Sequence, residues 1–136
     1  MRGNRSLAEA LEESLTRWAQ RTGISVETWA LPAGEVPERV SRAVMIVLEE
    51  ALDNVERHSG ARVVSVAVTM SRSGLRLTVS DDGAGFDRAP SGPGRPPLEG
   101  RGIAAMRAAL AEQGGTLSVT STPGAGTTVR GVIPSR

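Results

Sequence analysis

The sequence of 136 residues contains no lysine, cysteine or tyrosine, and its single histidine is His58. A Walker A phosphate loop and a pyridoxal Schiff base both require a lysine, so neither can form in this chain. Thiolate catalysis, disulfide bonds and cysteine-ligated zinc are excluded by the missing cysteines. A metal site built from several histidines is excluded in the same way. Arginine supplies all 16 basic residues.

Aromatic residues and long apolar runs are also scarce. Phe86, Trp18 and Trp29 are the only aromatic residues, so the core must consist mainly of Ala, Val, Leu and Ile. The sequence has no run of about 18 apolar residues and no apolar segment typical of a signal peptide. The net charge of +1, with arginines spread along the chain, argues against nucleic acid as a partner. We expect one soluble, cytoplasmic domain over residues 1–136, without direct membrane contact.

Hydrophobic periodicity predicts three helices and five strands. The helices are expected over residues 6–22, beginning with a capping box at Ser6 and Glu9, over 37–57 and over 103–113. The strands are expected over residues 24–29, 62–70, 75–80, 116–121 and 127–133. Residues 88–102, rich in proline and glycine, are expected to form a mobile functional loop. This order predicts an α+β fold, with helices on one face of a mixed, mostly antiparallel sheet.

The second predicted helix carries polar residues beside its apolar stripe. With about 100° between successive residues, Glu50, Asn54, Arg57 and His58 fall at the margin of the core face. They are consistent with a solvated helix end, where Arg57 and His58 favour the negative pole of the helix dipole. Taken alone, the pattern favours the solvated helix end, and the alternative is one wall of a binding site.

The segment from Asp81 to Phe86 directly follows a predicted strand, and its Asp and Gly residues are typical of a turn. The same residues suit a site for a flat ligand. Gly83 and Gly85 would let the backbone approach such a ligand, and Asp81 would accept a hydrogen bond from it.

Two further glycine-containing segments have the same ambiguity. Gly100 and Gly102 bracket Arg101 just before a predicted helix, which indicates either a flexible connection or a seat for phosphate at a helix N-terminus. Gly126 and Thr127 are most simply part of a hairpin turn.

Taken in order, these segments resemble the N, G1, G2 and Gly-Thr motifs of the GHKL ATP-binding superfamily. The motifs read Glu50-x-x-x-Asn54-x-x-Arg57-His58, Asp81-x-Gly83-x-Gly85-Phe86, Gly100-x-Gly102-Ile103 and Gly126-Thr127. The match spans nearly the whole chain. The stretches EEALDNVERHS, VSDDGAGF and GRGIAAMRAAL are most similar to the ATPase domain of sensor histidine kinases that pair with LuxR/NarL-like response regulators.

The resemblance implies a Bergerat fold, a two-layer α/β sandwich that binds ATP between its helices and a lid at residues 88–101. It implies that Asp81 accepts the adenine amino group and that Gly83 and Gly85 give the base room. Thr127 would support adenine through its hydroxyl and a water.

At the phosphate end, the resemblance implies a site for Mg²⁺ held by Asn54. Glu50 would act as a base or orient the acceptor, and Arg57 and His58 would contact phosphates. The amides around Gly100 and Gly102, in the segment that includes Arg101 and Ile103, would close on the β and γ phosphates. Arg101 stands where the family often has histidine, and Ala105 where it often has glycine.

The resemblance also implies what this segment of a kinase does. No helix pair with a phosphoacceptor histidine precedes Ser6, so we expect an isolated, monomeric catalytic domain that binds ATP and Mg²⁺. It would donate the γ-phosphoryl group to a histidine on a separate dimerisation domain, for relay to a LuxR/NarL-type response regulator. Whether the parent kinase is anchored to a membrane stays open. Two alternatives are a stand-alone serine kinase and anti-sigma factor of the same superfamily, and a non-enzymatic interaction module.

Overall fold

The computed structural model describes residues 6–83, 101–122 and 126–135, with only the backbone described for residues 58, 59, 101 and 122. The elements are α1 (Leu7–Thr22), β1 (Ser25–Ala30), α2 (Glu38–Asn54), a π-helical turn (Val55–Ser59), β2 (Val63–Ser71), β3 (Gly74–Asp81), α3 (Arg101–Glu112), β4 (Thr116–Thr122) and β5 (Gly126–Pro134). The predicted order of helices and strands is confirmed over these residues. The predicted loop at residues 88–102 lies outside the described residues as far as residue 100.

The five strands form one sheet in the order β1-β2-β3-β5-β4. β1 and β2 are parallel, and the other neighbouring strands are antiparallel. The mixed, mostly antiparallel sheet is therefore confirmed. β5 lies between β3 and β4, so its first residues are next to the end of β3 on one side and the end of β4 on the other.

The three helices cover one face of the sheet, and aliphatic side chains fill the space between the two layers. From the sheet, alternate residues of β2 and β3 point into this core, among them Val64, Val66, Leu77 and Val79. From the helices, the most deeply buried side chains are Leu11, Val44, Val47, Leu48, Met106 and Leu110. None of the described helices is both long and apolar enough to cross a membrane.

The first helix begins where its capping box predicts. The backbone N–H of Glu9 donates to the Ser6 hydroxyl at 3.1 Å, and the backbone N–H of Ser6 donates to Glu9 Oε1 at 3.0 Å. At the other end, Gly23 adopts a left-handed conformation (φ 78°) that ends the helix.

The second helix ends earlier than its apolar stripe predicts. The prediction over residues 37–57 is wrong at its end, because the α-helix stops at Asn54 and a π-helical turn occupies Val55–Ser59. Arg21 of α1 binds both carboxylate oxygens of Glu56 in this turn, at 2.8 and 3.1 Å, and the left-handed Gly60 closes it. Periodicity cannot distinguish the two helix types over five residues, and π turns often occur at functional sites.

Candidate functional site

A pocket lies between the C-terminal end of α2, the start of α3 and the inner face of the sheet. Its polar lining residues, among those described, are Asn54, Asp81 and Thr127. The rest of the lining is aliphatic and consists of Ala51, Val55, Val79, Ile103, Val119 and Val129. Apolar walls with a few convergent polar groups are typical of a site for a small organic ligand.

Asp81 provides the most unusual polar group of this pocket, because its carboxyl group is buried. The residue ends β3 and is 9% exposed. Its Oδ1 accepts the backbone N–H of Gly83 at 2.8 Å, and the backbone N–H of Thr127 also donates to the carboxylate. Burial raises the pKa of Asp81 above its usual value, while these two hydrogen bonds act in the opposite direction. An ionised carboxylate only accepts hydrogen bonds, so this end of the pocket favours a ligand that donates one.

Gly126 allows β5 to begin directly against Asp81. Its φ of 99° lies in the left-handed region, and a Cβ atom at this position would collide with the backbone carbonyl oxygen of Asp81. Any larger residue would push β5 away from β3 at the point where Thr127 contacts the carboxylate. The glycine that precedes the threonine is therefore required by close packing as well as by its own φ.

Thr127 enters the pocket wall from β5, and a second hydroxyl lies behind it. The Oγ atoms of Ser121 and Thr127 are 3.0 Å apart, and the two residues are 9% and 8% exposed. Ser121 is not among the site residues predicted from the sequence motifs. Its signal was the register of the last hairpin, because a strand at residues 116–121 paired with one beginning at residue 127 places Ser121 opposite Thr127.

At the other end of the pocket, the first turn of α3 packs against the polar residues of α2. A Cβ atom built on Gly102 would lie 3.1 Å from Glu50 Oε1 and 3.4 Å from Asn54 Oδ1. Glycine thus lets the backbone of α3 come within contact of both side chains. The first N–H groups of a helix have no partner within the helix, and they lie at its positive end.

The structure brings together only some of the predicted site residues. The pocket is lined by four of them, Asn54, Asp81, Ile103 and Thr127. Gly102 lies against the side chains of Glu50 and Asn54, and the buried Gly83 donates its backbone N–H to Asp81. The side chains of His58 and Arg101, and all of Gly85 and Gly100, lie outside what the structure describes.

Arg57 is directed elsewhere. Its Nε lies 3.2 Å from Asp53 Oδ2, and the Arg57 side chain is 68% exposed. Asp53 lines the groove between α1 and α2, and Arg57 is not among the residues that line the pocket.

Asp82 has a structural role that its place in the motif does not predict. Its Oδ1 accepts the backbone N–H groups of Arg62 at 2.9 Å and Val63 at 3.0 Å, which ties the end of β3 to the start of β2. These hydrogen bonds lower the pKa of Asp82. The two adjacent aspartates thus differ in role, because Asp81 lines the pocket and Asp82 holds the backbone beside it.

We expect Asp82→Ala to lower the thermal unfolding midpoint at pH 7 by about 2–5 °C, because two backbone donors lose their acceptor. Asp82→Asn should retain most of the midpoint, since its amide oxygen can accept the same N–H groups. The folded-state pKa of Asp82 is lowered, so its ionised carboxylate stabilises the folded protein. This stabilisation is present above the unfolded-state pKa and is lost as the pH falls through the folded-state pKa. Circular dichroism melts from pH 3 to 7 measure this, with exposed Glu35→Ala as the control. An Asp82→Ala midpoint equal to that of the wild type would contradict it.

Comparison with known proteins assigns this fold to a class. Residues 39–136 match the family described as histidine kinase-, DNA gyrase B-, and HSP90-like ATPase. The chain belongs to this family. Within it, the chain is similar to segments of sensor histidine kinases.

The chain is 36% identical over 130 residues to the sensor histidine kinase MctS of Rhizobium johnstonii, covering 94% of this chain and 27% of that protein. It is 31% identical over 132 residues to the sensor histidine kinase LiaS of Bacillus subtilis, covering 96% of this chain and 34% of that protein. The histidine kinase domain of the Erythrobacter litoralis EL346 blue-light activated histidine kinase superimposes with a TM-score of 0.77 at 27% identity, covering 95% of this chain and 61% of that one. The chain thus spans about a third or less of the two full-length kinases.

Proposed function

We propose that the pocket between α2, α3 and the sheet binds Mg-ATP, and that the domain donates the γ-phosphoryl group to a histidine on a dimerisation domain. The observation that carries this proposal is the buried carboxylate of Asp81 at the end of an apolar pocket, held in place by two backbone N–H groups. A planar base with an exocyclic amino group satisfies both features. The amine donates to the carboxylate, and the ring faces contact aliphatic side chains.

The base end of the site uses residues from three neighbouring strands, β3, β5 and the edge strand β4. Asp81 accepts the amino group, and Thr127 contributes its hydroxyl next to it. Val79, Val119 and Val129 lie along the same wall and would exclude water from the ring. The buried backbone of Gly83, and by resemblance that of Gly85, would leave room for the base.

The phosphate end uses α2 and the start of α3. The amide oxygen of Asn54 and the carboxylate of Glu50 are hard oxygen ligands of the kind that Mg²⁺ prefers, and both lie against Gly102. The oxygen atoms present here therefore fit the metal. Asn54 would be its ligand, and Glu50 would orient the acceptor. Mg²⁺ held there would neutralise the negative charge of the phosphates. The N–H groups at the start of α3, around Gly102 and Ile103, would face the anion, together with those of Gly100 and Arg101.

Arg57 and His58 complete the proposed phosphate contacts. For Arg57 this requires exchanging Asp53 for a phosphate. Exposed ion pairs of this kind contribute about 0–1 kcal/mol, so the exchange has a low cost. A forked guanidinium binds phosphate oxygens in pairs, which makes arginine suitable in a chain that has no lysine.

The proposed reaction requires an acceptor from another part of the kinase. His58 is the single histidine of the sequence, and its proposed place is in the nucleotide site. The accepting histidine would therefore lie on a dimerisation domain outside these 136 residues, with a LuxR/NarL-type response regulator as the next acceptor. The proposed location of the catalytic domain is the cytoplasm.

Isothermal titration calorimetry tests the binding step, with ATP and ADP each titrated with and without Mg²⁺. Mixing the protein with radiolabelled ATP and a histidine-bearing dimerisation domain of a sensor kinase then tests the transfer. We expect label on the histidine of the added domain. Phosphoserine on an anti-sigma antagonist protein would favour the serine kinase instead. Failure to bind ATP in the presence of Mg²⁺ would overturn the proposal and favour a non-enzymatic module.

A further inference from the structure

A pair of hydroxyl groups lies immediately behind the wall of the proposed nucleotide pocket. Ser121 of β4 and Thr127 of β5 are direct partners in the antiparallel ladder, and their Oγ atoms are 3.0 Å apart. Thr127 lines the pocket, whereas Ser121 is not among the lining residues. Both residues are buried, so this hydrogen bond is largely shielded from competition by bulk water.

Thr127 is held from two sides. Its backbone N–H donates to the carboxylate of Asp81, and its hydroxyl is bonded to Ser121. The preceding Gly126 packs on the backbone of Asp81, which fixes the start of β5. With its backbone fixed, a threonine can still rotate its side chain about χ1 and its hydroxyl about the C–O bond. The hydrogen bond to Ser121 restricts both rotations.

The direction of this hydroxyl matters for the choice of base. Asp81 in its ionised form only accepts hydrogen bonds, whereas a hydroxyl has one proton to donate. If Ser121 donates to Thr127, the proton of Thr127 remains for the ligand or for a bridging water. The pocket then offers an acceptor next to a donor. This matches the edge of adenine, where an amino group is next to a ring nitrogen, and it mismatches a base with an oxo group next to a ring N–H.

We propose that Ser121 is a positioning residue for nucleotide recognition, which orients the Thr127 hydroxyl and so strengthens the binding of adenine. This inference rests on the proposed function, because it assigns the pocket to an adenine nucleotide. It adds a residue that does not touch the ligand and acts through another side chain.

The sheet contains a matched control for this pair. Ser80 of β3 and Thr128 of β5 are also direct partners in the ladder, and their Oγ atoms are also 3.0 Å apart. This pair is half-buried, and neither residue lines the pocket. Because Thr127 and Thr128 are consecutive in a strand, their side chains are on opposite faces of the sheet. Removing one hydroxyl from each pair therefore compares similar chemical losses on the two faces.

The test is calorimetric titration of ADP into the wild type, Ser121→Ala, Ser80→Ala, Thr127→Val and the double variant S121A/T127V. We expect Ser121→Ala to weaken ADP binding by about three- to ten-fold and Ser80→Ala by less than about two-fold. Ser121→Thr, which keeps a hydroxyl at this position, should bind ADP with an affinity close to that of the wild type. In the Thr127→Val background, Ser121→Ala should change the affinity by less than about two-fold, because its effect passes through Thr127.

Melting curves of each variant separate folding from binding. If Ser121→Ala does not fold, Ser121→Cys replaces it, since a thiol of similar size forms only a weak hydrogen bond. Equal affinities of Ser121→Ala and Ser80→Ala would overturn the inference, and so would additive effects in the double variant. A wild-type protein that does not bind ADP would instead refute the proposed function.

Discussion

Replacing Asp81 by asparagine is expected to weaken ADP binding by at least about 100-fold, because one polar interaction changes sign. The carboxylate accepts a hydrogen bond from the amino group of the base. The amide oxygen of asparagine can accept the backbone N–H of Gly83 in place of Oδ1, but the other end of the amide is then an NH₂ group, which presents donors to the ligand. Two donors would face each other in a buried pocket, and neither would have a partner.

The same substitution is not expected to destabilise the fold at neutral pH. Burial raises the folded-state pKa of Asp81 above its unfolded value, so the folded state binds this proton more tightly than the unfolded state does. The corresponding stability is present below the unfolded pKa and is lost as the pH rises through the folded one. Above the folded-state pKa, the ionised carboxylate therefore carries a desolvation cost, which asparagine removes. We expect the melting midpoint of Asp81→Asn at pH 7 to equal or exceed that of the wild type.

Asp82→Asn is the matched control for this prediction, since it makes the same change at the next residue. Asp82 holds backbone N–H groups outside the pocket, so its substitution should leave ADP affinity within about two-fold of the wild type. Calorimetry with ADP and thermal melts from pH 4 to 8 measure both quantities. Wild-type affinity in Asp81→Asn would refute the role of Asp81 in binding the base. A lower melting midpoint of Asp81→Asn at pH 7 would refute the inference that the charge of Asp81 destabilises the folded protein.

The sequence predicts the base end of the site better than the phosphate end, because the base end follows from strand patterns. Alternation locates the ends of β3 and β5, and hydrogen bonding in the sheet then brings Asp81 and Thr127 together. The position of β5 between β3 and β4 is a property of the whole sheet, and alternation within each strand does not specify it. Ser121 contacts Thr127 through the pairing of β4 with β5, so a motif of consecutive residues does not include it.

At the phosphate end, local patterns fail for a different reason. Arg57 follows Asn54 by three residues, and helical spacing places both near the same margin of the core. The structure has a π turn there instead, and the Arg57 side chain pairs with Asp53. Asp53 precedes Arg57 by four residues, so helical spacing allows this ion pair as readily as a place in the site and does not choose between them. The π turn is bound by Arg21 of α1, a neighbour that local spacing does not encode. A long, exposed arginine also takes whichever anion is nearest, so its partner without nucleotide need not be its partner with it.

Asn54→Ala is expected to remove the effect of Mg²⁺ on ATP binding and to slow phosphoryl transfer by about 10²- to 10³-fold. The amide oxygen of Asn54 is the proposed metal ligand, and it lies against the backbone of α3 at Gly102. Alanine leaves the helix intact and keeps the apolar walls, Asp81 and Thr127 unchanged. Adenine should therefore still bind, and the affinity for ADP without Mg²⁺ should stay within about two-fold of the wild type.

The control for Asn54→Ala is Glu49→Ala, which changes an exposed residue on the same helix that lines the groove between α1 and α2. Titrations of ATP at increasing Mg²⁺ concentration give the metal dependence, and transfer of label from radiolabelled ATP to the histidine of a dimerisation domain gives the rate. Phosphoryl transfer depends mainly on positioning and charge neutralisation at the phosphates, so loss of the metal ligand should affect the rate far more than the binding of the base. An Asn54→Ala protein whose ATP affinity still rises with Mg²⁺ as in the wild type would assign the metal to other ligands. Equal losses of ADP affinity and transfer rate would mean that Asn54 supports the whole pocket rather than its phosphate end.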